Sequence, residues 1–221
     1  MYKRQLQTET QTLERYISDC IKNDFENTVE KISFQGGSLN PKNFFLYANN
    51  KIEYLCYINE YFKPCVMQQP MLKQHIEKEI KNNIQARANE CFDNLVESYE
   101  KKGYAVELKK GSMSVELLPK KIAVTFNNYS ITLTKSSTEK HDKFQIILNN
   151  NLYELVEIAN SIVDWEITVG DMDPLIIMEQ YHYVDVDQKK QSEGSKIYLL
   201  KDKKNRGFFQ FSIRNYVFMA G

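Results

Sequence analysis

The stretch from Leu13 to Gly37 constrains the fold most, because it predicts a long amphipathic helix with a defined end. Its apolar residues recur at the three- and four-residue spacing of one helix face: Leu13, Tyr16, Ile17, Cys20, Ile21, Phe25, Val29 and Ile32. Gly36 and Gly37 supply positive φ without steric cost and end the helix. Because Cys20 lies within the apolar stripe, whatever it contacts is predicted to be part of the core.

A second long helix is predicted after Pro70, since proline suits the first helical position. Its apolar stripe consists of Leu72, Ile76, Ile80, Ile84, Ala88, Cys91, Leu95 and Tyr99. Lys101, Lys102 and Gly103 form its end, with cations near the negative pole of the helix dipole. A helix of about 33 residues is long for a globular protein, so we expect a break near Asn82–Asn83 or Ala88–Asn89.

The four cysteines, Cys20, Cys56, Cys65 and Cys91, all lie in the first 91 residues. Two disulfides compete with four buried reduced thiols, which are the usual state in a cytosolic protein. If the two long helices pack face to face, Cys20 meets Cys91, and a tight reversal brings Cys56 to Cys65. No C-x2-C spacing occurs and the three histidines are scattered, so we predict no metal site.

The remaining segments have the alternating pattern of strands. Two aromatic-rich runs, at 43–47 and 52–57, predict a hairpin, and residues 104–148 predict a five-stranded antiparallel meander with a polar loop at Ser136–Asp142. A helix over 151–165 is expected to start with a capping arrangement of Asn151 and Glu154 and to lie on the meander. Three further strands close the chain, at 182–187, 195–200 and 208–214. The predicted fold is therefore α+β: two long helices packed together, and a mainly antiparallel sheet that carries a further helix.

Composition excludes several classes of function. Lys+Arg and Asp+Glu both number 29, so zero net charge argues against a nucleic-acid partner. No apolar run reaches the roughly 18 residues of a membrane span, and the start of the chain has no signal-peptide pattern. Neither a phosphate-binding loop nor a glycine-rich dinucleotide turn occurs, so no cofactor is predicted.

Three carboxylates, Asp171, Asp173 and Asp185, are the candidates for acid–base chemistry, as in a hydrolase. Asp171 and Asp173 precede Pro174, where acidic residues more often cap a helix. A metal site of His182 with Asp185 and Asp187 is disfavoured, because alternation along a strand places His182 on the opposite face. A thiol–imidazole pair of Cys65 and His75 lacks any known nucleophile context. We therefore assign no catalytic residue.

Aromatic residues cluster in the segment 44–62 as Phe44, Phe45, Tyr47, Tyr54, Tyr57, Tyr61 and Phe62. Core packing accounts for such residues, yet tyrosine-rich surfaces are also typical of recognition sites. Asn128-Tyr129-Ser130 is a glycosylation sequon in a predicted hairpin turn, which makes Asn128 a candidate for modification in an exported protein.

The order of these motifs resembles a group of uncharacterised archaeal membrane proteins from small-genome lineages. The resemblance rests on Tyr16-Ile17-Ser18-Asp19-Cys20, the Gln35-Gly36-Gly37 turn, the tyrosine-rich strand pair, Ile76-Glu77-Lys78-Glu79-Ile80 with Cys91, and the meander. It covers about residues 10–165 and implies no established activity. Those proteins carry one N-terminal transmembrane helix and a soluble domain outside the cell. By this resemblance, residues 1–12 are a stalk or trimmed segment that follows a missing membrane helix.

The sequence thus predicts a stapled region at 13–103 and a β-rich region at 104–221, both within one compact unit. The expected function is an extracytoplasmic, membrane-tethered binding or structural module at the cell surface, whose partner is another protein or a surface glycan. The competing hypothesis is a cell-surface hydrolase with its carboxylates near Asp171, Asp173 and Asp185.

Overall fold

The computed structural model of the chain describes residues 2–205 and 207–216, with side chains from Leu13 onward. The helices described are α1 (Tyr2–Gln35), α2 (Leu72–Glu100), α3 (Leu152–Thr168) and α4 (Pro174–Gln180). The strands described are β1 (Phe44–Tyr47), β2 (Asn50–Tyr57), β3 (Val66–Met67), β4 (Ala105–Lys109), β5 (Ser112–Leu118), β6 (Lys121–Asn127), β7 (Ser130–Thr134), β8 (Thr138–His141), β9 (Phe144–Asn149), β10 (Val184–Lys190), β11 (Ser195–Asp202) and β12 (Phe208–Arg214). The predicted α+β class is confirmed. No helix among these residues combines the length and apolarity needed to cross a bilayer.

The chain divides into two compact units, each of which contains part of both long helices. Unit 1 comprises Met1–Thr28, Ile80–Glu116 and Ile122–Leu148. Unit 2 comprises Val29–Glu79, Leu117–Lys121 and Asn149–Gly221. This division does not follow the boundary near residue 103 that the sequence suggests, because the helices are shared between the units.

Helices α1 and α2 pack together through their apolar stripes. Within unit 1, the Cys20–Cys91 disulfide joins them with a Cα–Cα distance of 6.0 Å, and Asn83 donates a hydrogen bond of 2.7 Å to Thr28. The break expected in α2 is wrong, because the helix runs unbroken from Leu72 to Glu100 and its stripe stays buried through Ile84 and Ala88. Over the residues described, 2–12, the expected stalk is the first part of α1, and Met1 lies outside them.

The predicted five-stranded meander is wrong. Its strands form two three-stranded sheets, with the orders β4-β7-β8 and β5-β6-β9. Strand β8 lies inside the segment expected to be a loop and pairs with β7, from Thr134↔Thr138 to Ile131↔His141. It is an edge strand with only its last residue buried, so it lacks an apolar alternation.

An aromatic cluster fills the core of unit 1. The Phe92 ring lies 5.1 Å from Phe126, 4.8 Å from Tyr129 and 5.4 Å from Phe144, measured between centroids. Tyr129 is also tied to α2, since its hydroxyl donates to Asn89 Oδ1 at 2.8 Å. Edge-to-face and tilted rings at these distances stabilise a core beyond their buried area.

Unit 2 is built on a six-stranded sheet with the order β1-β2-β12-β11-β10, in which β3 also pairs with β2. Strand β12 is parallel to β2, whereas the other pairs are antiparallel. Helix α3 contacts β2, β3, β11 and β12, so the expectation that it lies on the meander is wrong. Five successive residues of β12 are buried, so both faces of this strand are covered. Helix α3, which contacts β12, covers one of them.

The start of α3 also differs from the expected cap. The Asn151 side chain makes no capping hydrogen bond, and the Leu152 N–H donates instead to Asn150 Oδ1 at 2.8 Å. Glu154 accepts from the Lys120 N–H at 2.8 Å. Asn151 is used elsewhere, because its amide donates to Asp202 Oδ2 at 2.7 Å.

Candidate functional site

A loop closed by the second disulfide connects β2 to β3 in unit 2. Cys56 and Cys65 are nine positions apart, with a Cα–Cα distance of 5.5 Å, and both are buried. At the same end of the loop, β2 and β3 form an antiparallel pair through Cys56↔Met67 and Tyr57↔Val66. The loop, residues 57–64, is thus fixed at its base by a covalent bond and by sheet hydrogen bonds. We call it the aromatic loop.

The tip of the aromatic loop exposes large apolar side chains. Tyr61 is 68% and Phe62 71% exposed, and Val66 follows at 59%. The backbone of Phe62 has φ +64, a left-handed conformation that is rare for a bulky residue. Backbone strain of this kind persists only where the surrounding structure imposes it, and it concentrates at functional positions. The loop therefore presents two adjacent rings to solvent in a strained, covalently fixed conformation.

An arginine and further rings support the aromatic loop from the side of β12. The Tyr61 ring lies 4.5 Å from the Tyr216 ring. The Arg214 guanidinium lies 5.2 Å from the Tyr216 ring and 5.6 Å from the Tyr57 ring, and it donates to both hydroxyls. These cation–π contacts hold Tyr216 as a platform beneath Tyr61. The result is a surface of tyrosine, phenylalanine and arginine.

The seven aromatic residues that cluster in the sequence separate into two roles. Tyr54 is buried and its hydroxyl is 2.7 Å from Ser195 Oγ, so it belongs to the core. Phe44, Phe45, Tyr47 and Tyr57 are half-buried, whereas Tyr61 and Phe62 are exposed. Core packing is thus confirmed for Tyr54, whereas a recognition role for the exposed Tyr61 and Phe62 stays a prediction.

The three candidate carboxylates do not form a cleft of proton donors. Asp173 caps α4 by accepting from the Leu175 N–H at 2.9 Å, and Asp185 pairs with Lys203 at 3.1 Å. Asp171 pairs with Lys190 and, at 2.9 Å, with Lys196.

Burial alone would raise the pKa of Asp171, yet the hydrogen bonds from Lys190 and Lys196 lower it overall. A general acid needs the opposite shift. These residues therefore give the hydrolase hypothesis no support.

Sequence reasoning missed a buried charge in α3, Glu166. Its side chain is fully buried and accepts hydrogen bonds from the Lys196 ammonium at 2.8 and 2.9 Å, the Tyr198 hydroxyl and the Met172 N–H. The available signal is its spacing, since Glu166 lies three residues after Val163 on the apolar stripe. With its oxygens satisfied, Glu166 is a structural anchor.

A serine, a histidine and a glutamate meet where α1 ends. Ser38 Oγ is 2.5 Å from Glu53 Oε2 and 2.7 Å from His75 Nε2. In a hydrolytic triad the acid orients the histidine, whereas here it contacts the serine. The Leu39 N–H, a natural oxyanion donor after a nucleophilic serine, donates instead to Glu79 at 2.8 Å. The thiol–imidazole pair is also excluded, because Cys65 is in a disulfide.

The structure also bears on the glycosylation sequon and on metal binding. Asn128 is exposed in the turn between β6 and β7, with φ +60. No cluster of three or more His, Cys, Asp or Glu side chains suited to a metal ion occurs among the residues described.

Comparisons with protein-family models, with curated proteins and with solved structures give no significant match to this chain.

Proposed function

We propose that this chain is the extracytoplasmic binding module of a membrane-tethered protein, and that the aromatic loop is its contact surface. The observation that carries the proposal is the exposure of Tyr61 and Phe62 on a loop closed by the Cys56–Cys65 disulfide. Such a loop has little freedom left to lose on binding, so the area buried against a partner is converted into affinity more fully.

The location of the module follows from its cysteines. Both pairs are joined, and the described residues contain no free thiol. Disulfides persist in oxidising, extracytoplasmic environments. Membrane tethering is a more specific proposal than the extracytoplasmic location. It rests on the resemblance to archaeal proteins with one N-terminal membrane helix.

The chemistry of the loop suits another protein or a surface glycan. Tyrosine and arginine are the residues enriched where protein partners bind most tightly. The same rings offer flat faces for a sugar, and the Glu60–Lys63 ion pair on the loop supplies polar groups.

The test is binding of the fluorescently labelled chain to envelope vesicles from the organism that encodes it. We expect saturable binding that the double variant Tyr61→Ser/Phe62→Ser loses. The matched control is Leu175→Ser/Ile176→Ser, which also removes two exposed apolar side chains, in α4. Protease treatment of the vesicles abolishes binding to a protein, and periodate oxidation abolishes binding to a glycan.

Equal loss of binding in both double variants would show that the loop is not the contact surface. Absence of saturable binding by the unmodified chain would contradict the proposed function itself.

A further inference from the structure

Arg214, the last residue of β12, carries a positive charge beside the aromatic loop that no described carboxylate neutralises. Among the described residues, no acidic side chain lies within 4.0 Å of its guanidinium. Its hydrogen-bond partners are instead the hydroxyls of Tyr57 and Tyr216. A phenol hydroxyl accepts hydrogen bonds without carrying a negative charge. The half-buried guanidinium therefore keeps its full charge next to the exposed rings.

The hydrogen bonds of Arg214 use only part of its donor set. Nε donates to the Tyr216 hydroxyl at 3.1 Å, Nη2 donates to the same oxygen, and Nη1 donates to the Tyr57 hydroxyl at 3.3 Å. Each terminal nitrogen of a guanidinium carries two N–H groups. The described residues thus leave one N–H on each terminal nitrogen without an acceptor. Paired N–H groups on one planar cation are the donor pattern that binds a carboxylate best.

Main-chain contacts hold the Tyr216 ring, and this ring in turn holds the guanidinium. The Tyr216 hydroxyl donates to the Glu193 carbonyl at 2.7 Å while it accepts from Arg214. A Cβ on Gly194 would lie 2.5 Å from Tyr216 Cε1, so only glycine lets the ring lie this close to the turn between β10 and β11. Arg214 is thus ordered before any partner arrives. An ordered side chain loses less conformational entropy on binding, which favours affinity.

The surroundings of Arg214 favour a protein partner over a sugar. The two charges of the loop itself, Glu60 and Lys63, pair with each other at 2.5 Å. The exposed side chains of Phe62 and Val66 have no polar atom with which to bind the hydroxyls of a sugar. They suit apolar side chains of a partner, which would also shield an ion pair with Arg214 from water. The surface therefore fits a carboxylate that is flanked by apolar side chains.

We propose that Arg214 determines the specificity of the aromatic loop, and that the partner is a protein segment with an aspartate or glutamate between apolar side chains. This inference rests on the binding role proposed above and names the partner class for it. An acidic glycan would offer the same carboxylate without apolar neighbours, and the experiment below separates the two.

The test is a titration of the chain with defined small probes, followed by the NMR signals of the Arg214 Nε–H and of the Tyr61 ring. The probes are a leucine–aspartate–leucine peptide blocked at both ends, the same peptide with asparagine, and methyl glucuronide. Asparagine keeps the shape of aspartate and removes its charge. We expect the aspartate peptide to bind about tenfold more tightly than the asparagine peptide, because hydrogen bonds between charged groups are stronger than neutral ones. It should also bind more tightly than the glucuronide.

Two variants of Arg214 separate recognition from support of the loop. In Arg214→Gln we expect the preference for aspartate to vanish, whereas a residue that only supports the rings would weaken both peptides equally. In Arg214→Lys the charge remains without the planar pair of donors, so part of the preference should remain. The control, Lys204→Gln, removes an exposed charge at the other end of β12 and should keep the full preference.

Equal affinity of the unmodified chain for the two peptides would overturn the inference, and this result needs no variant to fold. A preference for aspartate that survives in Arg214→Gln would overturn it too. Tighter binding of the glucuronide than of the aspartate peptide would assign the surface to an acidic glycan instead of a protein. Because the probes are defined compounds, this inference and the binding to envelope vesicles proposed above can fail separately.

Discussion

The two disulfides perform different tasks, and the comparison separates the framework of the molecule from its candidate contact surface. Cys20–Cys91 connects residues 71 positions apart on two packed helices. Cys56–Cys65 spans nine positions and fixes a loop whose rings face solvent. A bond that closes a long segment mainly removes freedom from the unfolded chain, whereas one that closes a short loop also shapes a local surface. The first therefore stabilises the fold, and the second orders a surface.

The largest effect is expected from Cys20→Ala/Cys91→Ala. Releasing a constraint of this length lowers the free energy of unfolding by about 4 kcal/mol. Urea unfolding followed by circular dichroism measures the change. A loss below about 1 kcal/mol would mean that the helix pair is held by its apolar stripes alone. The Cys20–Cys91 bond would then not be what stabilises the fold.

A smaller loss of stability is expected from Cys56→Ala/Cys65→Ala. The nine-position separation predicts about 2–3 kcal/mol by the same entropy argument. Binding to envelope vesicles should fall sharply in this variant, because the aromatic loop is no longer fixed. If binding survives in full, the loop is not pre-organised by its disulfide.

Two glycines allow a comparison between the turn that ends α1, which packs against β2, and the turn that ends α2. Gly36 and Gly103 both have φ +82. A Cβ on Gly36 would lie 3.0–3.2 Å from atoms of Glu53, whereas one on Gly103 would meet nothing within 4 Å. We expect Gly36→Ala to cost about 2 kcal/mol and Gly103→Ala about 1 kcal/mol, the conformational term alone. Thermal unfolding of both variants measures the difference, and equal values would show that the turn tolerates a side chain.

The smallest effect on stability is expected from Tyr61→Ser/Phe62→Ser. Exposed side chains contribute little to folding, so the free energy of unfolding should change by less than about 0.5 kcal/mol. Chemical unfolding is the measurement. A loss of 2 kcal/mol or more would place these rings in the core and remove them from the candidate site.

Local patterns predicted the helices and the cysteine pairing well. Cys20 and Cys91 each occupy a helical apolar stripe, and stripes of this kind must face each other to leave water. Cys56 and Cys65 flank a reversal short enough for the two residues to meet. The first pairing is thus predicted by helical periodicity, and the second by the short separation of the two cysteines in the sequence.

The sheet arrangement and the meeting of Ser38, Glu53 and His75 could not be predicted in this way. Partner choice between strands depends on contacts distant in sequence, so the alternation over 104–148 could not reveal two separate sheets. Strand β8 is polar because it lies at an edge. Ser38, Glu53 and His75 are separated by 15 and 22 positions in the sequence, and no periodicity relates them.

The oxidation state of the cysteines tests the account most directly. The chain should be isolated from its native cells with free thiols blocked by alkylation, then digested without reduction and mapped by mass spectrometry. We predict linked peptides for Cys20–Cys91 and Cys56–Cys65 and no alkylated cysteine. Four alkylated cysteines would contradict both the extracytoplasmic location and the fixed aromatic loop.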